Sequence, residues 1–232
     1  MRLTKLILLG TFSMELLGAA LLALRFVPRY GVGKGLWFSL FHAVSAFCNA
    51  GFDLMGGEGG AFCSLVPLRD DVLVNGTVMA LITAGGLGFL VWEDLWRNGL
   101  HWKRWKLHTK LVLVTSAVLT FGGAALILIL ERGATGADLT PGQRVLTALF
   151  ASVSARTAGF NTVDLAAQSD ASKLVTILLM LVGGSPGSTA GGVKTTTVAA
   201  IVLFSAASFR GDPAPTVFGR RLTEETRKKA GN

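Results

Sequence analysis

Phe41-His42-Ala43-Val44-Ser45-Ala46-Phe47-Cys48-Asn49-Ala50-Gly51-Phe52 and Phe150-Ala151-Ser152-Val153-Ser154-Ala155-Arg156-Thr157-Ala158-Gly159-Phe160 are two versions of one phrase, aligned on Ala-Gly-Phe with one residue deleted. Each closes an apolar segment, Leu36–Cys48 and Val145–Arg156, of about a dozen residues, too short to cross about 30 Å of hydrocarbon as a helix. Each then enters a glycine-bearing turn followed by polar residues. That is the length class of re-entrant or buried helices.

The segments on either side of these phrases are longer and more apolar. The sequence predicts spans at about 4–27, 72–96 and 109–131, and a fourth, interrupted one at 172–209. Val72–Trp92 and Leu111–Leu130 carry no charge, and Lys5–Arg25 encloses only Glu15. The chain of 232 residues is 51% hydrophobic and 16% charged, outside the usual balance of a soluble globular domain. The arrangement is therefore span, short helix, turn, span, written twice. Such duplication is common in transport proteins, whose ion path often runs along the axis between repeats.

A net charge of +8 would suggest nucleic acid as partner in a soluble protein, but here the charges sit between spans. Arg97, Lys103, Arg104, Lys106 and Lys110 fall in one loop with no acid, interleaved with Trp96, Trp102 and Trp105. The positive-inside bias puts that loop in the cytoplasm, together with the N-terminus and the basic tail from Arg210. Both short segments then face outward. The N-terminal apolar stretch runs on to Val27, longer than a signal-peptide core, and reads as a retained span. Two cysteines, Cys48 and Cys63, are too few for a disulfide framework.

The chemistry of the turn follows from the needs of a dehydrated cation such as potassium, which requires several oxygen ligands in place of its water. Backbone carbonyls can supply them only if the chain adopts conformations that glycine enters at low cost, which singles out Gly51 and Gly159. The C-terminal partial negative charge of each preceding helix points the same way. A plain helix C-cap followed by a reversal would also read Ala-Gly-Phe, and it is the duplication that favours a filter.

Gly183 to Gly192 places five glycines, one proline and three hydroxyl residues inside an otherwise apolar span, a composition that does not sustain a straight helix. Its freed backbone groups are tolerable only beside a water-filled cavity or buried in protein, so the segment is expected to line a pore. A close packing face of small residues is the alternative. A phosphate-binding loop is excluded because Val193 separates Gly192 from Lys194, and Gly86-Leu87-Gly88-Phe89-Leu90-Val91 lacks the last glycine of a dinucleotide fingerprint and reads as a small-residue packing face. Glu15, Asn75, Arg156 and Lys194 are polar groups at membrane depth, each with a functional and a structural reading. No metal-site or Ser/His/Asp arrangement stands out, and no enzyme activity is expected.

With these phrases in view, the chain resembles the Trk, Ktr and HKT superfamily of potassium transporters, specifically the bacterial Trk/Ktr membrane subunit. The resemblance covers nearly the whole chain and rests on the two quoted phrases, on Asn161-Thr162 after the second, and on Gly183-Gly184-Ser185-Pro186-Gly187-Ser188-Thr189-Ala190-Gly191-Gly192-Val193-Lys194-Thr195. It implies an all-α integral membrane protein of potassium-channel-like type, with four spans and two re-entrant pore helices. It maps filter positions to Asn49, Ala50, Gly51, Phe52, Thr157, Ala158, Gly159 and Phe160. It makes Gly183, Gly184, Ser185, Pro186, Gly187, Ser188, Thr189, Ala190, Gly191, Gly192 and Lys194 an intramembrane gate.

The implied organisation is a second-type pore repeat over 1–100, a third-type repeat over 101–209 and a cytoplasmic basic tail over 210–232. The family carries four such repeats, so a fragment lacking the first and fourth is expected, with a self-pairing two-repeat chain as the alternative. The implied activity is K⁺ uptake across the bacterial cell membrane, with Na⁺ as a candidate coupling ion and no tightly bound cofactor. Implied partners are membrane lipid, a cytosolic nucleotide-binding regulatory subunit and a second full-length subunit, with no nucleic acid. A secondary transporter of another solute and a non-conducting structural subunit are the rival readings.

Overall fold

The computed structural model describes residues 2–209 together with Thr216–Phe218 and Arg220–Arg221. The helices in chain order are α1 (Arg2–Tyr30), α2 (Val32–Phe47), the single turn α3 (Gly56–Gly59), α4 (Val72–Leu87), α5 (Phe89–Asn98), α6 (Leu107–Leu130), α7 (Pro141–Ala155), α8 (Asp170–Leu181) and α9 (Thr195–Phe209). Two two-residue strands, β1 (Thr216–Val217) and β2 (Arg220–Arg221), pair antiparallel in the tail, a small departure from the all-α expectation. The rest of the expected tail lies outside the described residues.

Helices α1 and α2 form a hairpin on one linking residue, Gly31, whose φ of 79° reverses the chain. Gly35 lets the two backbones touch: a Cβ there would lie 2.6 Å from the Val27 Cα. α4 then packs against both, and its start is built by side chains. Asp71 accepts from the Leu73 and Val74 amides at 3.0 and 3.1 Å as an N-cap, and pairs with Arg25 of α1 at 3.2 Å. Asn75, fully buried, donates to the carbonyls of Leu68, Arg69 and Asp71 at 3.0, 2.8 and 2.9 Å. Its role here is to satisfy the loop before α4.

Helix α6 packs against α7, α8 and α9, and α7 opens with a capping box in which Thr140 and Gln143 satisfy each other's backbone amides. Contacts of α4 with α7 and α6 join the halves. The core runs through this junction: Phe26, Phe47, Val74, Val78, Phe150, Val153 and Phe160 belong to one buried cluster.

Thr4–Tyr30 and Leu107–Gly133 are long and apolar enough to cross a membrane unbroken. The expected span at 72–96 meets the same requirement only as a pair of helices, α4 and α5, bent by 94°. Gly88, at φ 86°, makes the bend, and a Cβ on it would collide with the Ser185 hydroxyl and come within 2.9 Å of the Pro186 carbonyl. The Gly86–Val91 run is thus a helix break receiving another segment, where the sequence suggested a packing face. The interruption of the last span is present, between Leu181 and Thr195.

Candidate functional site

The two phrases fold into matched turns. Asn49 and Gly51 have φ of 53° and 71°, and Thr157 and Gly159 have 72° and 91°, with an alanine of negative φ between each pair. Each turn therefore alternates positive, negative, positive φ, a pattern that an unbroken helix does not contain. Gly51 and Gly159 are in direct contact across the two halves. A Cβ on Gly51 would fall on the Ala158 carbonyl oxygen and lie 3.0 Å from the Gly159 Cα.

Two serines hold these turns at both ends. The Ser45 carbonyl accepts from the Ala50 amide at 2.9 Å, while its hydroxyl donates to the Phe52 carbonyl at 2.8 Å. Ser154 does the same in the second turn, accepting from Ala158 at 3.0 Å and donating to the Phe160 carbonyl at 2.5 Å. Sequence reasoning named neither serine, although their alignment in the repeat was the available signal. Above the turns the halves are cross-tied: the Leu65 amide donates to the Asn161 carbonyl at 3.0 Å and the Asn161 amide to the Ser64 hydroxyl at 3.1 Å. His42, fully buried, bonds the Phe38 carbonyl through Nδ1 at 2.7 Å and receives the Leu54 amide on Nε2 at 3.3 Å. The ring thereby fixes the chain just beyond the first turn.

The glycine-rich segment folds back on itself. Gly183 donates to the Val193 carbonyl at 3.0 Å and Gly184 to that of Gly191 at 3.3 Å, around a parallel bridge between Val182 and Val193. Gly183 has no room for a side chain, since a Cβ would overlap the Gly191 carbonyl. The loop docks on the α4–α5 break. Ser185 and Thr189 donate to the Gly86 and Gly85 carbonyls at 3.0 and 3.3 Å, the Ser185 hydroxyl bonds the Leu87 carbonyl, and the Phe89 amide donates to Gly187 at 3.0 Å. Lys194 closes the loop on the Ala190 carbonyl at 2.9 Å.

A small cavity beside this loop and the first turn is lined among others by Asn49, Thr83, Ser116, Arg156, Gly184 and Ala190. Arg156 is 8% exposed and donates to the Thr120 hydroxyl of α6 at 2.7 Å. Among the described residues it has no carboxylate partner, so it ties the second turn to α6 through a hydroxyl. Glu15, 7% exposed, accepts from the Cys48 thiol at 3.9 Å. No group of three His, Cys, Asp or Glu side chains is placed to hold a metal ion among the described residues. Two open concave regions flank the turns, one against Trp37, Val44 and Phe52, the other against Thr157, Phe160 and Met180, and both reach Ala50.

Helices that stop short of a crossing, glycine turns at their C-termini and a broken span docked beneath are the features of a membrane transport protein, and residues 1–229 match the TrkH family, described as cation transport protein. The chain belongs to that family, one of transporters rather than enzymes. It is 43% identical over 214 residues to the potassium/sodium uptake protein NtpJ of Enterococcus hirae, covering 90% of this chain and 45% of that one. It is 37% identical to the Ktr system potassium uptake protein B of Vibrio alginolyticus, covering 99% and 50%, and 36% identical to that of Bacillus subtilis, covering 95% and 48%. The crystal structure of the potassium transporter TrkH from Vibrio parahaemolyticus shares the fold at a TM-score of 0.75 and 19% identity, over 97% of this chain and 46% of that one. The chain spans about half the length of the curated relatives it matches.

Proposed function

We propose that Asn49–Phe52 and Thr157–Phe160 are two turns of a carbonyl-lined selectivity filter for potassium uptake, with Gly183–Gly192 and Lys194 as the gate beneath. The observation that carries this is the contact of the two glycine turns, each with the same positive, negative, positive alternation of φ. Two abutting turns surround a cation on one side only, so a closed ring needs further turns of the same kind on the two open flanks. These turns come from the rest of a longer chain or from a second copy. In this reading residues 1–100 and 101–209 are successive pore repeats, with N-terminus, 97–110 loop and tail on the cytoplasmic side. The names of the relatives support K⁺ as cargo, and that of the Enterococcus relative supports Na⁺ as coupling ion. The basic loop is the docking surface for a cytosolic nucleotide-binding regulatory subunit, on a homodimer of full-length subunits.

The test is Rb⁺ uptake into potassium-uptake-deficient bacteria expressing the complete coding sequence of the protein, with Na⁺ as competitor. Parent cells accumulate Rb⁺, and Gly51→Ser or Gly159→Ser admits Na⁺. Absence of Rb⁺ uptake by well-expressed parent protein would leave the rival reading, a non-conducting structural subunit.

A further inference from the structure

We propose that Thr189 is a latch that couples the position of the glycine-rich loop to the C-terminal end of the first pore helix; the proposal rests on the filter reading above. Phe47 is the last residue of α2, and its carbonyl is one of those a helix end leaves without an internal partner. The Thr189 hydroxyl donates to it at 2.9 Å. The same oxygen accepts from Asn49 Nδ2 at 2.8 Å, so one hydroxyl joins the helix end to the first left-handed residue of the turn. The contact depends on close approach of α4: a Cβ on Gly85 would fall on the Phe47 carbonyl and lie 2.7 Å from Thr189 Oγ1.

The arrangement is one-sided. Thr157 occupies the place of Asn49 in the second turn, and its hydroxyl is buried without a partner among the described residues. The loop's other side-chain bonds go to its own backbone or to Leu87, so Thr189 is its side-chain link to a pore helix among the described residues. When the loop is docked, a hydroxyl proton covers the negative end of α2 and the Asn49 amide is held. When the loop leaves, the Phe47 carbonyl keeps only its longer bond from Asn49 Nδ2 at 3.4 Å, and the field at the turn becomes more favourable to a cation just as the barrier is withdrawn. Filter and gate are thereby linked through one side chain.

The experiment uses Rb⁺ uptake at matched membrane expression in the complete coding sequence, with the maximal rate and the KM resolved. Thr189→Val keeps the shape and removes the hydroxyl, and losing one hydrogen bond shifts a docked-to-released equilibrium by about two- to tenfold. The expected result is a rise of that size in maximal rate, and return to the parental rate in Thr189→Ser. A Thr189→Val rate equal to the parent's, or one that falls, overturns the latch.

The contact itself is checked separately by oxidising Asn49→Cys/Thr189→Cys in a background with Cys48 and Cys63 replaced by Ser. A linked peptide is expected by mass spectrometry, and failure to link in folded protein also overturns the proposal. The ratio of variant to parent tests the latch, whereas loss of Rb⁺ uptake in the parent strikes the filter reading.

Discussion

At the scale of single residues, the site depends on four left-handed positions, of which only two are glycine. Asn49 and Thr157 hold φ of 53° and 72° because their neighbours over-determine them: a serine holds each turn from both ends, and Asn49 is further tied to Thr189. An L side chain in this region costs roughly 1–2 kcal/mol, and at Gly51 it would also collide with the Ala158 carbonyl. Gly51→Ser is therefore expected to lower K⁺-over-Na⁺ selectivity by tenfold or more in competitive Rb⁺ uptake, with a smaller effect at Gly159, where a Cβ has 3.7 Å to the Gly51 Cα. Ser154→Ala removes the bond that closes the second turn. Its expected signature is partial loss of selectivity with expression retained, and Ser45→Ala should do the same for the first turn. Equal selectivity of both alanine variants and the parent would show that the serines do not set the carbonyls.

At the scale of elements, α4, α7 and α8 start on the side-chain caps Asp71, Thr140 and Ser169, and two further ties involve carboxylates that the sequence did not single out. Asp94 at the end of α5 accepts from Asn98 Nδ2, the Lys106 amide and the Thr109 hydroxyl at 2.9, 2.8 and 2.6 Å, joining α5 to the start of α6. Glu131 at the end of α6 accepts from Thr135 and from the Ser169 amide and hydroxyl, at 3.0 and 2.8 Å for the latter two, joining α6 to α8. Asn75 was legible as an expensive group to bury but not as a structural one, because the three carbonyls it serves lie in a loop whose path no periodicity reveals. Asn75→Leu leaves those carbonyls dry and is expected to cost about 3 kcal/mol, read as a lower midpoint in detergent thermal unfolding. Gly88→Val sets a branched Cβ against Ser185 and Pro186 at a positive φ. Undocking of the glycine-rich loop is expected, reported by faster maleimide labelling of a cysteine placed at Ser188.

At the scale of the whole molecule, the exposed surface is dominated by apolar side chains such as Leu9, Phe12, Phe121 and Ile177, each at least 60% exposed, as a lipid-facing surface requires. The orientation is open to a direct check. Cys63 lies in the loop between α2 and α4, and His101 in the basic loop between α5 and α6. A membrane-impermeant maleimide is expected to label Cys63 on intact cells but His101→Cys only after permeabilisation. The reverse pattern would invert the proposed topology.

Read by itself, the sequence carried legible signals for the membrane class, the short helices ending in glycine turns and the interruption of the last span. These are legible because hydropathy, length and glycine content are local properties, and the solvent sets their scale. Tertiary structure alone decided that the two turns touch, that the α4–α5 break receives the glycine-rich loop and that the loop ends on Phe47 and Asn49. Those depend on residues 98 to 142 positions apart meeting through backbone groups, which every residue carries and which leave no mark in the order of side chains.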